Sequence, residues 1–453
     1  MADRAVAREQ EEIAVRRNLV RGRVTAVLGV AALTTALVVG VTSSSGAAST
    51  SVSQSKGGKS VCGLGNGKKA TGSPIKLGAI NTQQPGTDFT DIGLMAKAYF
   101  DCVNANGGIY GHRIAFTEET ESTTAQTASA AAKKLIEGIK VVGLVGNSSI
   151  IEADINHKYY EQKGFYVIGA GIAVSAYSTS HFASINMGPR YSSDGAAQWA
   201  LSKKPDKLIF DQSNVPGTGY NAGGVALIAK KYKVPYKLET DNVPIQDGKS
   251  VAQRLVQDAG KNGVVVLNFT PPEALKILQG AQQQGLQDDV KAWACSTPCN
   301  TDFLAASLGP GWYGKLGVNA ELNLTSAKAP DSALYRSVLK QYGKAVKGGL
   351  GSFSQMGFTA GRIATQALLD MGPNATYTAK TVNAAFKAVK DFKTDILCKP
   401  WYYGKGSFHL PNNTDRTVTP SKDGKVMVQL QGCFGIDPVD PEVAAARKIE
   451  AKQ

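Results

Sequence analysis

Short apolar runs alternate with stretches whose apolar residues recur every three or four positions, and the alternation holds from residue 75 to about residue 300. Ile75 to Ile80 predicts a strand. Ile92, Met95, Ala96, Tyr99, Phe100 and Val103 then fall at helical spacing over Asp91 to Ala105, closed by Asn106-Gly107-Gly108. Strand Arg113 to Glu118 leads into helix Thr124 to Glu137, strand Val141 to Val145 into helix Ile150 to Gln162, and strand Phe165 to Ile168 precedes a segment around Ala183 to Met187. Strands alternating with helices of this length imply a parallel sheet covered on both faces. Val141-Val142-Gly143-Leu144-Val145 reads as a strand buried on both sides.

The same grammar then starts again. Helices Tyr191 to Leu201, Tyr220 to Tyr232, Lys249 to Gly260 and Pro272 to Gln284 interleave with strands Leu208 to Asp211, Tyr236 to Thr240, Val264 to Asn268 and Ala292 to Cys295. Beyond Lys315 to Glu321 come helices Asp331 to Lys347, Ser354 to Met371 and Ala379 to Lys390, then strand and turn material from Ile396 to Phe434. The fold class is α/β, with two doubly wound parallel-sheet lobes. The absence of a short-period repeat rules out a solenoid.

At 453 residues the chain is long enough for two such lobes, and 43% hydrophobic with 19% charged residues describes a globular protein. The net charge of +14 is spread over single or paired lysines, with no basic block interleaved with aromatics, so nucleic-acid binding is not expected.

Compartment is read from the N-terminus. Arg16, Arg17, Arg21 and Arg23 precede Val24 to Val41, which runs without a charge, and Ser43-Ser44-Ser45-Gly46-Ala47-Ala48 follows. That is an export signal. Cleavage near Ala48 is expected. An uncleaved membrane anchor is the alternative, since the apolar run can just span a bilayer. Cys62 follows bulky Val61, which argues against a lipoprotein. Residues 1–48 are thus a signal peptide or membrane anchor and 49–73, rich in Ser, Gly and Lys, a flexible leader.

An even count of six cysteines in an exported chain favours disulfides. Order along the chain suggests Cys62 with Cys102, Cys295 with Cys299, and Cys398 with Cys433. A metal or redox pair at Cys295 and Cys299 is disfavoured, because no histidine or second cysteine pair is near in sequence.

Ligands of doubly wound sheets bind beyond the carboxyl ends of the strands. The loops there carry amides, hydroxyls, glycines and a few aromatics. Gly146-Asn147-Ser148-Ser149 opens a helix after a strand, suiting both N-capping and an anionic oxygen. Gly169-Ala170-Gly171 begins like a dinucleotide fingerprint, but Ser175-Ala176-Tyr177-Ser178 leaves no room for its helix. No Gly-x-Ser-x-Gly, His-Glu-x-x-His or Gly-x-x-x-x-Gly-Lys-Ser/Thr motif occurs, and the four histidines lie on scattered elements, so an enzyme is disfavoured. No cofactor or metal is expected.

From Ile75 onward the chain resembles the leucine, isoleucine and valine-binding family of periplasmic solute-binding proteins, of the type I fold. The turn Asn104-Ala105-Asn106-Gly107-Gly108-Ile109-Tyr110-Gly111-His112 carries the resemblance, with Val141 to Tyr160 and Phe165 to Gly171, and it extends over roughly residues 74 to 438. It implies two lobes joined by three crossovers, near Gly188, Leu316 and Lys425, with lobe one at 74–187 and 317–425, lobe two at 188–316 with a return at 426–440, and a tail at 441–453. It implies a monomer that captures a small organic molecule in a closing cleft and serves the membrane permease of an ABC importer; a receptor module of the same fold is the alternative. Membrane contact would come only through an uncleaved N-terminal segment.

Position by position, the resemblance implies that Asn147, Ser148 and Ser149 hold a ligand oxygen, that Ala170, Gly171 and Ile172 offer backbone groups, and that Phe89 packs on the ligand. On the second lobe it implies contacts from Tyr220, Asn268, Phe269 and Thr297. Amino-acid-binding members carry an acid where this chain reads Cys295-Ser296-Thr297-Pro298-Cys299. An amino acid therefore stands beside a neutral or carboxylate-bearing compound, aromatic ones included, as the expected ligand.

Overall fold

The structure is a computed structural model that describes residues 60–450 apart from 405 and 407. The signal or anchor segment 1–48 and leader residues 49–59 lie outside the described residues. No described helix is long and apolar enough to cross a membrane.

The alternation read from the sequence is realised in order. Lobe one begins with β1 (Gly72–Gln84), β2 (Thr87–Asp88), α1 (Thr90–Ala105), β3 (His112–Glu121) and α2 (Ala125–Lys133), which runs into a wide π turn. It continues with β4 (Gly143–Val145), α3 (Glu152–Lys163), β5 (Val167–Gly169), α4 (Ser175–Ser178) and β6 (Phe182–Ser184). Lobe two follows with α5 (Gly188–Leu201), β7 (Leu208–Ser213), α6 (Thr218–Tyr232), β8 (Tyr236–Asp241), α7 (Gly248–Ala259), β9 (Val264–Asn268) and α8 (Pro271–Gln283). β10 (Ala292–Cys295), α9 (Asp302–Leu308) and β11 (Leu316–Asn319) complete its parallel part. The chain then adds α10 (Pro330–Tyr342), α11 (Ser352–Asp370) and α12 (Ala379–Lys387), and ends with β12 (Thr414–Pro420), β13 (Met427–Gly435) and α13 (Pro441–Glu450).

The first sheet is ordered β3-β1-β4-β5-β6, all parallel, with β2 folded back on the end of β1. In the second, β8-β7-β9-β10-β11 are parallel and β12 and β13 add antiparallel. In each sheet the second strand to form lies on one side of the first and the third on the other, so chain direction switches between β1 and β4 and between β7 and β9. Those two crevices face the cleft. Every residue of β9 from Val264 to Leu267 is fully buried, as a strand with helices on both faces requires.

Three lobe assignments need correcting. Leu316 opens β11, and Val318 and Asn319 pair with Val418 and Thr417 of β12, so residues 316–319 and 414–420 belong to the second sheet. The second crossover therefore begins after Asn319, and the third ends before Thr414 instead of near Lys425. What misleads the sequence reading is that β12 and β13 form a hairpin turned at Ser421 to Gly424, which follows a long irregular segment with no helix to announce a change of lobe. Residues 60–71 are not a free leader: Cys62 is buried against α1, and Ala70 N–H donates to the Asn104 carbonyl at 2.7 Å. The tail 441–453 contains α13, whose Val443 and Ala446 pack with Tyr177 and Tyr191.

Helices α10 to α12 return to lobe one, where Tyr335, Phe358, Val382 and Phe386 share a core with Ile75, Leu77 and Tyr99. The three cysteine pairs are bonded as the order of the chain suggests, Cys62–Cys102, Cys295–Cys299 and Cys398–Cys433, with Cα separations of 5.8, 6.0 and 5.9 Å.

Candidate functional site

Between the lobes lie an inner chamber of about 70 Å³ and an adjoining outer one of about 380 Å³; Thr87, Thr270, Pro298 and Phe353 border both. The inner walls differ in chemistry. Lobe one supplies Phe89, Ile92, Ile150 and Ile172, with Phe353 and Met356 from α11, and is apolar apart from Thr87. Most of the hydrogen-bonding side chains come from lobe two and the crossovers, among them Asn186, Ser192, Asn221, Asn268, Thr297 and Glu321. The lobes meet across the mouth, where the Thr270 hydroxyl donates to the Gly86 carbonyl at 3.1 Å and Ser352 N–H to the Asn300 carbonyl at 3.0 Å.

Five of the residues singled out from the sequence line this chamber together: Phe89, Ile172, Asn268, Phe269 and Thr297. Phe89 stands edge-on to Phe353 with ring centroids 5.4 Å apart. Asn268 Oδ1 accepts from the Ser296 hydroxyl at 2.8 Å, and Thr297 Oγ1 accepts from Asn319 Nδ2 at 2.8 Å. The Cys295–Cys299 bridge closes the short loop that carries Thr297.

The others do not line the chamber. Asn147 is spent inside lobe one, its Nδ2 donating to Glu152 Oε1 at 2.9 Å and its carbonyl accepting from Ala170 N–H at 2.7 Å. Ser149 Oγ accepts from the N–H groups of Ile151 (3.1 Å) and Glu152 (2.8 Å) at the start of α3, and donates to Glu121 Oε1 at 2.8 Å. The Thr82 hydroxyl donates to the same oxygen. The Ser149 hydroxyl, expected to hold a ligand oxygen, is thus engaged with the start of α3 and with Glu121 inside lobe one. Ser148 is fully buried with its hydroxyl unpartnered. The Gly171 carbonyl accepts from Tyr177 Oη (2.6 Å) and Asn186 Nδ2 (2.9 Å), which orients Asn186 at the cleft. Tyr220 turns away: its hydroxyl donates to Glu442 on α13, and Arg190 lies 4.6 Å from its ring centroid. One position along a helix is a rotation of about 100°, and it is Asn221 that reaches the chamber.

Glu321 was not foreseen. It sits on the second crossover, 1% exposed, and its Oε2 accepts from the Met187 N–H of the first crossover. Burial pushes its carboxyl up to about 8, against the hydrogen bonds from Met187 and Thr297 that pull the other way. Asn412 of the third crossover donates to the Glu321 carbonyl at 3.2 Å, so all three crossovers meet at this residue. The signal in the sequence was an acid set between Ala320 and Leu322 directly after a buried strand. Phe353 and Met356, also unforeseen, come from the start of α11, a position the strand-end rule does not inspect.

Residues 74–424 match the family described as Periplasmic binding protein. No curated protein sequence matches the chain. Among solved structures, a fatty acid ABC transporter substrate-binding protein from Thermomonospora curvata superposes with a TM-score of 0.68 at 17% identity, over 82% of this chain and 95% of that one. A branched chain amino acid ABC transporter protein from Thermus thermophilus with bound valine gives 0.70 at 12% identity, over 82% and 99%. The branched-chain amino acid transporter substrate binding protein from Streptococcus pneumoniae in complex with isoleucine gives 0.63 at 15% identity, over 80% and 100%. The family match spans most of the sequence and the superpositions share its two-sheet architecture, so the chain belongs to the periplasmic binding protein family, with the type I fold of its leucine/isoleucine/valine-binding kind.

Proposed function

We propose that this protein is an extracytoplasmic solute-binding protein that captures a small organic molecule between its lobes and delivers it to the membrane permease of an ABC importer. The carrying observation is the inner chamber, mainly apolar on lobe one and richer in polar groups on lobe two and the crossovers, which offers contacts from both lobes to one ligand. An amphipathic molecule suits such walls: its apolar body against Phe89, Ile172 and Phe353, its polar head toward Asn268, Thr297 and Glu321. The relatives named with valine, isoleucine and fatty acid as ligand or cargo share an aliphatic body. The outer chamber leaves room for a longer tail. Catalysis has no part in this reading, residues 1–48 serve as export signal or anchor, and the protein acts as a monomer.

A thermal-shift screen of amino acids, amides, amines, carboxylic acids and aromatic compounds tests the capture step. At least one compound should raise the melting midpoint in proportion to its concentration. Cellular uptake of that compound should fall when the protein is deleted and return when it is supplied. Uptake indifferent to deletion would remove the importer from the account.

A further inference from the structure

Among the described residues that line the inner chamber one side chain is ionisable, and it is an acid; no described lysine, arginine or histidine lines it. We infer that the cleft takes an organic cation, an amine-bearing molecule whose ammonium group pairs with Glu321 while its apolar body lies against Phe89, Ile172 and Phe353. This narrows the capture function proposed above and rests on it.

Charge is the first argument. A free carboxylate entering this chamber would lose its water, gain no cation and face an acid, and desolvation of an unpaired charge is heavily penalised. The second is that the Ser149 hydroxyl at the start of α3, where a ligand oxygen was expected, is turned to Glu121 and does not line the chamber. The third concerns the groups around Glu321. Met187 N–H donates to its Oε2, and the Thr297 hydroxyl, whose oxygen is engaged by Asn319 Nδ2, hydrogen-bonds to it as well. Both favour the ionised form, so the donors that support a carboxylate are in place before any cation arrives. No basic side chain forms an ion pair with Glu321 among the described residues.

The remaining titratable neighbours are Tyr177 and Asp415, both fully buried and both pushed up by that burial, with Arg416 beside Asp415. With burial pushing Glu321 up to about 8, its carboxyl is mostly protonated at pH 7 when no cation stands beside it. An arriving ammonium group restores the carboxylate, and the Glu321 proton passes to the buffer.

Hexylamine, hexanamide and hexanoate share an apolar body and differ in the head, so their calorimetric titration at pH 7 into the wild type and Glu321→Gln isolates the head's contribution. Hexylamine should bind at least about tenfold more tightly than hexanoate. Titration in two buffers of different ionisation enthalpy should show about one proton released per amine bound. Glu321→Gln keeps the shape of the buried neutral acid; it should melt normally, lose the preference for the amine and release no proton. Tighter binding of hexanamide or hexanoate, equal amine affinity in Glu321→Gln, or no binding of hexylamine overturns the inference. Uptake data separate the two readings: a carboxylate that binds and is imported would sink the cation site and leave the capture function standing.

Discussion

Several carboxyl groups in this protein are kept from ionising by the fold. Burial pushes Glu152 up to about 7, Glu321 to about 8 and Asp211, with Asp241 beside it, to about 9. In the unfolded chain such groups titrate near 4, so between about pH 4 and these values the native state binds more protons, and stability falls as pH rises through that window. His409 acts in the opposite sense: burial holds it at about 4, so its contribution is lost as pH falls from about 6.5. From about pH 6 to 7 the three acids outweigh the histidine, above about pH 7 Glu321 and Asp211 continue alone, and the melting midpoint should decline from about pH 6 to about pH 9. Asp211→Asn removes one of these costs away from the chamber, and should raise the midpoint more at pH 9 than at pH 6; an equal gain at both would refute the cause given. Ser149→Ala belongs to the same scale. Because its hydroxyl caps α3 and bonds Glu121, the substitution should cost about 1–3 kcal/mol of stability in urea denaturation and leave ligand affinity within about twofold. Sequence alone identified the serine and the helix start, but not that its hydroxyl would be turned to Glu121 on β3. Tyr220 and Asn221 make the same point: a helix was legible there, its rotation against the cleft was not.

The alternation of apolar strands and amphipathic helices was legible because each signal is local. Val264 to Asn268 and Ala292 to Cys295 form strands with the boundaries read from their apolar runs. Pairing across long separations carries no such signal, which is why β12, after an irregular segment, was given to the wrong lobe. Inspection of strand ends reaches Phe89, Ile172, Asn268, Phe269 and Thr297 of the chamber wall; Glu321 and Phe353 come from a crossover and a helix start, which only the packing of both lobes brings in. Close packing of helices is another long-range fact. A Cβ on Gly357 of α11 would lie 2.0 Å from the Ile92 carbonyl of α1, and one on Gly361 2.9 Å from Tyr99 Cδ1. The two glycines, one turn apart, let α11 settle against α1 and so bring Phe353 and Met356 to the chamber. Gly357→Ala should therefore force the helices apart. A loss of at least about 1–3 kcal/mol in denaturation midpoints is expected, with weaker ligand binding, whereas an unchanged midpoint would mean that α11 is free to shift.

Capture requires the lobes to approach, and the mouth of the cleft shows where they touch. Gly86 occupies the turn between β1 and β2, with φ of +77°, and its carbonyl accepts from Thr270 of lobe two. A Cβ there would lie 2.9 Å from Val243 Cβ and 3.0 Å from Pro244 N, both on lobe two, so Gly86→Ala places a wedge between the lobes without entering either core. Ligand that contacts both walls stabilises the approached form only by its differential affinity for it, and a wedge subtracts from that difference. The substitution also strains a left-handed backbone position, an effect to be separated from wedging. Gly111→Ala provides the control: φ is +89°, yet its added Cβ meets nothing within 4 Å. Both variants should lose comparable stability from backbone strain, about 1 kcal/mol. They should differ in solution scattering. With a ligand found by the screen, the wild type and Gly111→Ala should contract on binding, and Gly86→Ala should remain extended and bind at least about tenfold more weakly, a cost of about 1.4 kcal/mol. If Gly86→Ala contracts and binds as the wild type does, Gly86 does not gate the approach of the lobes, and the ligand is held without the closure that the two-walled chamber implies.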